Sequence, residues 1–106
     1  MAKKCNLTRE EIKGLYKKKE LLNEKTIHYN CFRAMANDTR RNLLKYINHK
    51  TRTFSDIKKE FKLDENQLKY HLSMLEQCFF IINSKDGWKS TPGALAFLKN
   101  VLMKNK

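Results

Sequence analysis

Between Phe54 and Ile82 the apolar residues are spaced for two short helices around a tight turn, followed by an abrupt apolar strand. In Phe54-Ser55-Asp56-Ile57-Lys58-Lys59-Glu60-Phe61, Ile57 and Phe61 sit four apart and share one helical face. Lys62 and Leu63 turn the chain, and Asp64 is placed to cap a second helix by accepting bonds from free backbone N–H groups. In that helix Leu68, His71, Leu72 and Leu75 fall at i, i+3, i+4 and i+7, which makes one apolar back. Asn66, Gln67, Lys69, Tyr70 and Ser73 lie on the opposite face. Side chains of that kind read base edges and bind phosphates. The spacing predicts a helix-turn-helix.

A chain of 106 residues has room for one domain, and 41% hydrophobic content is enough for a small core. One Pro and three Gly leave little material for a many-turned β fold, so a mostly helical chain is expected. The formal charge of +12 points to a polyanionic partner, the alternative being a lysine-rich surface that only confers solubility. Its distribution is uneven: residues 1–25 carry net +4, residues 26–52 net +5, residues 53–78 net −1 and residues 79–106 net +4. The helix-turn-helix is thus nearly neutral, and the basic groups flank it. A polar helix reading bases while neighbouring segments grip phosphates would have this pattern.

Cys5, Cys31 and Cys78 are far apart and form no C-x-x-C, so reduced thiols and no structural metal are expected. Cys31 and Cys78 sit among apolar residues and read as core, and Cys5 reads as exposed. The longest apolar run, Cys78 to Ile82, is too short to span a membrane. Lys3 and Lys4 are not followed by an apolar stretch of the secretory kind, so a cytoplasmic protein is expected. His28, His49 and His71 belong to no nucleophile–base constellation or metal-ligand spacing, and there is no glycine-rich phosphate loop. His71 reads as a packed or edge histidine. Neither an enzyme nor a cofactor is expected.

Along the chain, Thr8-Arg9-Glu10-Glu11 has capping-box spacing and starts a helix with Ile12, Leu15, Tyr16 and Leu22 on its apolar stripe. Gly14 inside it costs about 1 kcal/mol against Ala, so this helix needs packing from elsewhere, either on the domain or as a dimer arm. Ile27, Cys31, Phe32 and Met35 continue a helical pattern that either extends the first helix or restarts near Thr26. Asn37 caps the next helix, whose buried side is Leu43, Leu44 and Ile47. After the helix-turn-helix, residues 80–84 favour a strand, Lys85-Asp86-Gly87 signals a hairpin turn, and Trp88-Lys89-Ser90 returns. Trp88 is expected to pack this hairpin onto the domain more readily than to stack on a base. Thr91 as N-cap and Pro92 at N1 then open a last helix with a wide apolar surface.

Ala34-Met35-Ala36-Asn37-Asp38-Thr39-Arg40 with Leu43-Leu44, then Leu68, His71-Leu72 and Leu75-Glu76, then Thr91-Pro92-Gly93, follow one another in a recognisable order. Over about two-thirds of the chain, from Tyr29 to Leu98, the sequence resembles the ArsR-type winged helix-turn-helix transcriptional regulators. The departures concern metal and the end of the recognition helix. That family's metal sensors carry Cys ligands before the recognition helix or Asp/His ligands on the last helix. Here Thr53-Phe54-Ser55-Asp56 occupies the first region, and Ala94 to Lys106 holds no His, Cys, Asp or Glu. Cys78-Phe79 stands where the family has a small Ala-Gly pair, putting a bulky residue at a position suited to φ > 0.

The expected fold is mainly α with a small β-hairpin wing, divided into an N-terminal extension (1–25), a winged helix-turn-helix (26–93) and a C-terminal dimerisation helix (94–106). The expected function is sequence-specific binding of double-stranded DNA as a homodimer, with residues 64–77 in the major groove and the wing, residues 80–91, on the backbone or minor groove. Asn66, Gln67, Lys69, Tyr70 and Ser73 would read bases, and Arg40, Arg41, Arg52, Lys85 and Lys89 would hold the backbone. Arg40 has a competing role as a brace of the fold, and the two lysines as ordinary solvated side chains. Leu95, Leu98, Val101 and Leu102 would pair the subunits, as the resemblance implies, with core packing the competing use. A winged-helix protein-interaction module and a non-specific architectural DNA binder remain the alternative functions.

Overall fold

The computed structural model describes residues 7–48 and 50–104, with side chains up to residue 99. Six helices and one hairpin follow in the order α1 (Arg9–Glu20), α2 (Glu24–Met35), α3 (Asp38–Ile47), α4 (Phe54–Phe61), α5 (Glu65–Gln77), β1 (Ile81–Ser84), β2 (Gly87–Ser90) and α6 (Pro92–Lys104). This is the winged helix-turn-helix that the sequence predicts. His49 and Cys5 lie outside the described residues, as do the side chains of Val101 and Leu102.

Local chemistry sets nearly every helix start. The Thr8 hydroxyl accepts from the Glu11 amide while the Glu11 carboxylate accepts from the Thr8 amide, and the Thr53/Asp56 and Asp64/Gln67 pairs repeat that exchange. Asn37 and Asn23 cap α3 and α2 through their side-chain oxygens. Asn23 therefore decides the question left open by periodicity: α2 restarts and does not prolong α1. The Ala94 amide donates to the Thr91 hydroxyl, and the Leu95 amide donates to the Thr91 carbonyl.

The core gathers one face from each remaining element. Leu43, Leu44 and Ile47 of α3, Ile57 of α4, Leu68, Leu72 and Leu75 of α5, Ile81 of β1, and Ala94 and Leu98 of α6 are all buried together. Each large aliphatic in it stabilises the fold by about 2 kcal/mol relative to exposure. Leu98 thus belongs to the core of the chain, a correction to its expected place in a dimer interface. Of the α1 stripe only Leu15 is buried, while Tyr16 and Leu22 remain exposed.

The end of α5 shows how a bulky residue serves in place of glycine. Phe79 takes φ 64°, its amide donates to the Glu76 carbonyl, and the Phe80 amide donates to the Leu75 carbonyl. Those two bonds make a Schellman closure, at a left-handed cost of about 1–2 kcal/mol for a residue with a Cβ. Burial of the Phe79 ring offsets that cost. The Thr91 hydroxyl then donates to the Phe79 carbonyl at 2.6 Å and clamps the start of α6 to this loop.

β1 and β2 pair antiparallel with Ser84 opposite Gly87, so the turn residues are Lys85 and Asp86 and Gly87 already belongs to the strand. Outside the hairpin, Arg52 bridges to Trp88: its amide donates to the Trp88 carbonyl at 3.0 Å and its carbonyl accepts from the Trp88 amide at 2.7 Å. Gly87 is required there. It holds φ 136°, and a Cβ would meet the Arg52 carbonyl oxygen at 2.6 Å.

Candidate nucleic-acid interface

Helix α5 separates its two faces cleanly. Leu68, Leu72 and Leu75 are buried in the core, with α5 packed on α2, α3 and β1, while Asn66, Gln67, Lys69, Tyr70 and Ser73 are all exposed. The five side chains expected to read bases are therefore brought together on one solvent-facing strip. Some are engaged locally. Gln67 Oε1 accepts from the Asp64 amide at 3.4 Å, a bond long enough to be released, and the Lys69 ammonium pairs with the Glu65 carboxylate at 3.0 Å. That exposed pair adds well under 1 kcal/mol, so it leaves Lys69 free to exchange partners. Ser73 Oγ accepts from Gln77 Nε2.

Between this strip and the wing runs a groove of about 310 Å³ lined by Lys69, Ser73, Glu76, Asn83, Gly87 and Trp88, among others. Trp88 packs against the core, as expected for a lone tryptophan that anchors a hairpin. Lys85 is exposed in the turn at the wing tip.

The arginines expected on the DNA backbone are mostly used inside the protein. Arg40 is buried: its Nε donates to the Ala34 carbonyl at 2.8 Å, Nη2 to the Arg33 carbonyl at 3.1 Å, and Nη1 lies 3.1 Å from His71 Nδ1. Two of those acceptors are carbonyls of the last turn of α2, of which Arg33 also accepts from the Ala36 amide at the cap. Burial, and then the nearby Arg40 cation, hold the His71 pKa below its ordinary value. His71 is thus neutral at pH 7 and serves as an acceptor. Arg41 donates to the Met35 carbonyl and pairs with Asp38, with its side chain still 37% exposed. Arg52 donates from Nε to the Tyr46 carbonyl and lays its guanidinium 3.9 Å from the Tyr46 ring centroid.

Lys89 corrects the sequence reading most directly. Its side chain is only 8% exposed, and its ammonium meets the Glu11 carboxylate of α1 at 3.2 Å. The Thr8 backbone bond, and with it Lys89, holds the Glu11 carboxyl below the usual range. Lys89 therefore ties the N-terminal helix to the wing and offers no free charge to a phosphate. Sequence reasoning also passed over Lys58, Lys59 and Lys62, which are exposed on α4 and the turn and make no ion pair among the described residues. The signal for them was the motif itself, since the first helix of a helix-turn-helix crosses the backbone.

With this geometry the family comparison can be placed on the structure. Residues 37–81, from the cap of α3 to the first residue of β1, match the family model described as bacterial regulatory protein, arsR family. Residues 37–81 are an ArsR-family helix-turn-helix domain. The match covers the helix-turn-helix and supports a DNA-binding role for it in transcription regulation. The comparisons with curated proteins and with solved structures found no match. Among the described residues, no helix is long and apolar enough to cross a membrane. No group of three or more His, Cys, Asp or Glu side chains is placed to hold a metal among them either.

Proposed function

We propose that this ArsR-type regulator binds a specific double-stranded DNA sequence as a homodimer, inserting residues 64–77 in the major groove and laying the wing on the adjacent backbone or minor groove. The observation that carries the reading is the exposed strip Asn66, Gln67, Lys69, Tyr70 and Ser73 on a helix whose other face is locked into the core. Asn66 and Gln67 suit bidentate pairing with adenine, and Lys69 suits guanine or a phosphate. Lys85 from the wing and Lys58, Lys59 and Lys62 from α4 and the turn supply backbone contacts in place of Arg40, Arg52 and Lys89. Residues 26–93 then form the reading unit, residues 94–106 the pairing helix and residues 1–25 an extension. The test is titration of the wild-type protein against a duplex it selects from a random pool and against a shuffled duplex. A preference on the order of a thousand-fold is expected. Equal affinity with a steep salt dependence would support an architectural role, and no binding at low salt would leave the interaction module.

The dimer reading draws support from a different surface. A cleft beside α6 is lined by Cys31, Phe32, Met35, Ala36, Phe80 and Phe97, with almost no polar surface. Phe32 is 76% exposed at its rim, and Leu95 is half-buried on α6. A two-fold partner would cover this cleft with its own α2 and α6, so pairing involves α2 and not α1. Sedimentation equilibrium should give twice 12.7 kDa for the wild type and the monomer mass for Phe32→Asp. A monomeric wild type at all accessible concentrations contradicts the pairing.

A further inference from the structure

The N-terminal helix lies where the DNA-facing surface continues. Leu15 is buried, Glu11 pairs with the wing residue Lys89, and the Lys19 ammonium sits 5.8 Å from the Phe79 ring centroid at the end of α5. These three residues fall at i, i+4 and i+8 and define the docked face of α1. Beside it a second groove is lined by Glu11, Gly14, Leu15 and Lys18 on one side and by Glu76, Gln77, Ile82 and Asn83 on the other, among others. Glu76 and Asn83 also line the groove between α5 and the wing. The two grooves therefore adjoin at Glu76 and Asn83, one reaching Lys69 and Ser73 and the other Lys18.

Gly14 and Lys18 border the docked face of α1, and Lys17 and Lys13 carry the same strip round onto its solvent side. The three lysines are exposed and make no ion pair among the described residues. Glu10 lies on the same strip and Glu76 across the groove, so the strip is net basic but not uniformly so. Gly14 stands in the middle of it. A mid-helix glycine costs about 1 kcal/mol against Ala, yet among the described residues a Cβ at Gly14 would meet no atom beyond its own helix backbone within 4 Å. Packing within the chain does not call for a glycine here. Glycine does leave the helix backbone open to close approach from outside.

We infer that α1 is a third DNA-contacting element, in which Lys13, Lys17 and Lys18 hold phosphates beyond the wing and Gly14 lets the sugar-phosphate backbone approach the helix. The inference rests on the regulator reading and extends it. The helix-turn-helix carries net −1 and three of the expected cationic contacts are buried or stacked within the fold, so the extension supplies charge that the reading unit lacks. The ligand is the phosphate backbone of the same duplex, so these contacts add affinity without base preference.

The experiment compares the wild type with the triple variant Lys13→Gln, Lys17→Gln, Lys18→Gln and with Gly14→Gln. Each is titrated against the selected and shuffled duplexes over a salt series, with a hydroxyl-radical footprint of each complex. The triple variant should lose up to about 3 from the slope of log K against log salt, at about 0.9 per phosphate, and bind about ten- to a hundred-fold more weakly at 0.15 M salt. Its preference for the selected duplex should be unchanged, and its footprint should shorten on the wing side. Gly14→Gln should unfold at a higher urea concentration than the wild type and still bind more weakly, an effect that loss of structure does not explain. An unchanged slope and footprint in the triple variant, with wild-type binding intact, would overturn this inference alone. Absence of wild-type binding to any duplex would overturn the regulator reading and this inference with it.

Discussion

Replacing Arg40 by methionine is expected to lower the unfolding free energy by about 3 kcal/mol, although the position resembles a DNA contact in sequence. The guanidinium satisfies the Ala34 and Arg33 carbonyls at the end of α2 and reaches His71 on the back of α5, so it joins three helices at one point. Methionine keeps much of the packing volume but leaves the Ala34 carbonyl without this donor. Lysine should rescue less than half of the loss, because one ammonium cannot reproduce a planar fork aimed at separate acceptors. Urea denaturation of wild type, Arg40→Met and Arg40→Lys gives the comparison. A loss below about 0.5 kcal/mol, the range of ordinary surface substitutions, would return Arg40 to the phosphate-binding set. The salt slope of DNA binding should not change in whatever fraction remains folded, since this residue neutralises no phosphate.

Local signals in the sequence were enough to place the helices. Thr8, Asn37, Asp64 and Thr91 sit where they were expected as caps, and Leu68, Leu72 and Leu75 form the buried back of α5. These signals are legible because cap and helix lie within a few residues of each other, and apolar periodicity needs only the helix itself. The fate of charged side chains was less legible. Arg40 and Arg52 find backbone carbonyls exposed where helices end beside them, and Lys89 finds Glu11 from 78 residues away. No spacing rule encodes a partner at that separation.

Leu98 illustrates a related limit. Its helix has apolar residues on more than one face, and periodicity alone does not say which face meets the domain. In the structure Leu98 and Ala94 turn inward, leaving the cleft between α2 and α6 as an unpartnered apolar surface among the described residues. Phe79 adds a third case. A residue of this size at φ 64° breaks the glycine preference for a helix end, and only the buried ring, visible in three dimensions, accounts for it.

The proposed reading face on α5 is the central element. Gln67 and Lys69 are exposed, project from the first turns of the helix and contribute nothing to the core. Replacing both by alanine removes the Gln67 half of one capping box and one exposed ion pair, a combined cost to folding of about 1 kcal/mol. The effect on recognition should be far larger. Each well-placed bidentate base contact discriminates by about 1–3 kcal/mol, so the pair should reduce preference for the selected duplex by about 30- to 1,000-fold or more. Binding to the shuffled duplex should weaken far less, since contacts to the backbone supply most non-specific affinity. The deciding measurement is therefore the ratio of dissociation constants for the selected and shuffled duplexes, taken at one salt concentration for wild type and for the Gln67→Ala, Lys69→Ala variant. This account predicts a large ratio that collapses toward one in a variant that still folds. A ratio that survives the double substitution would contradict it and place the reading surface elsewhere on the protein.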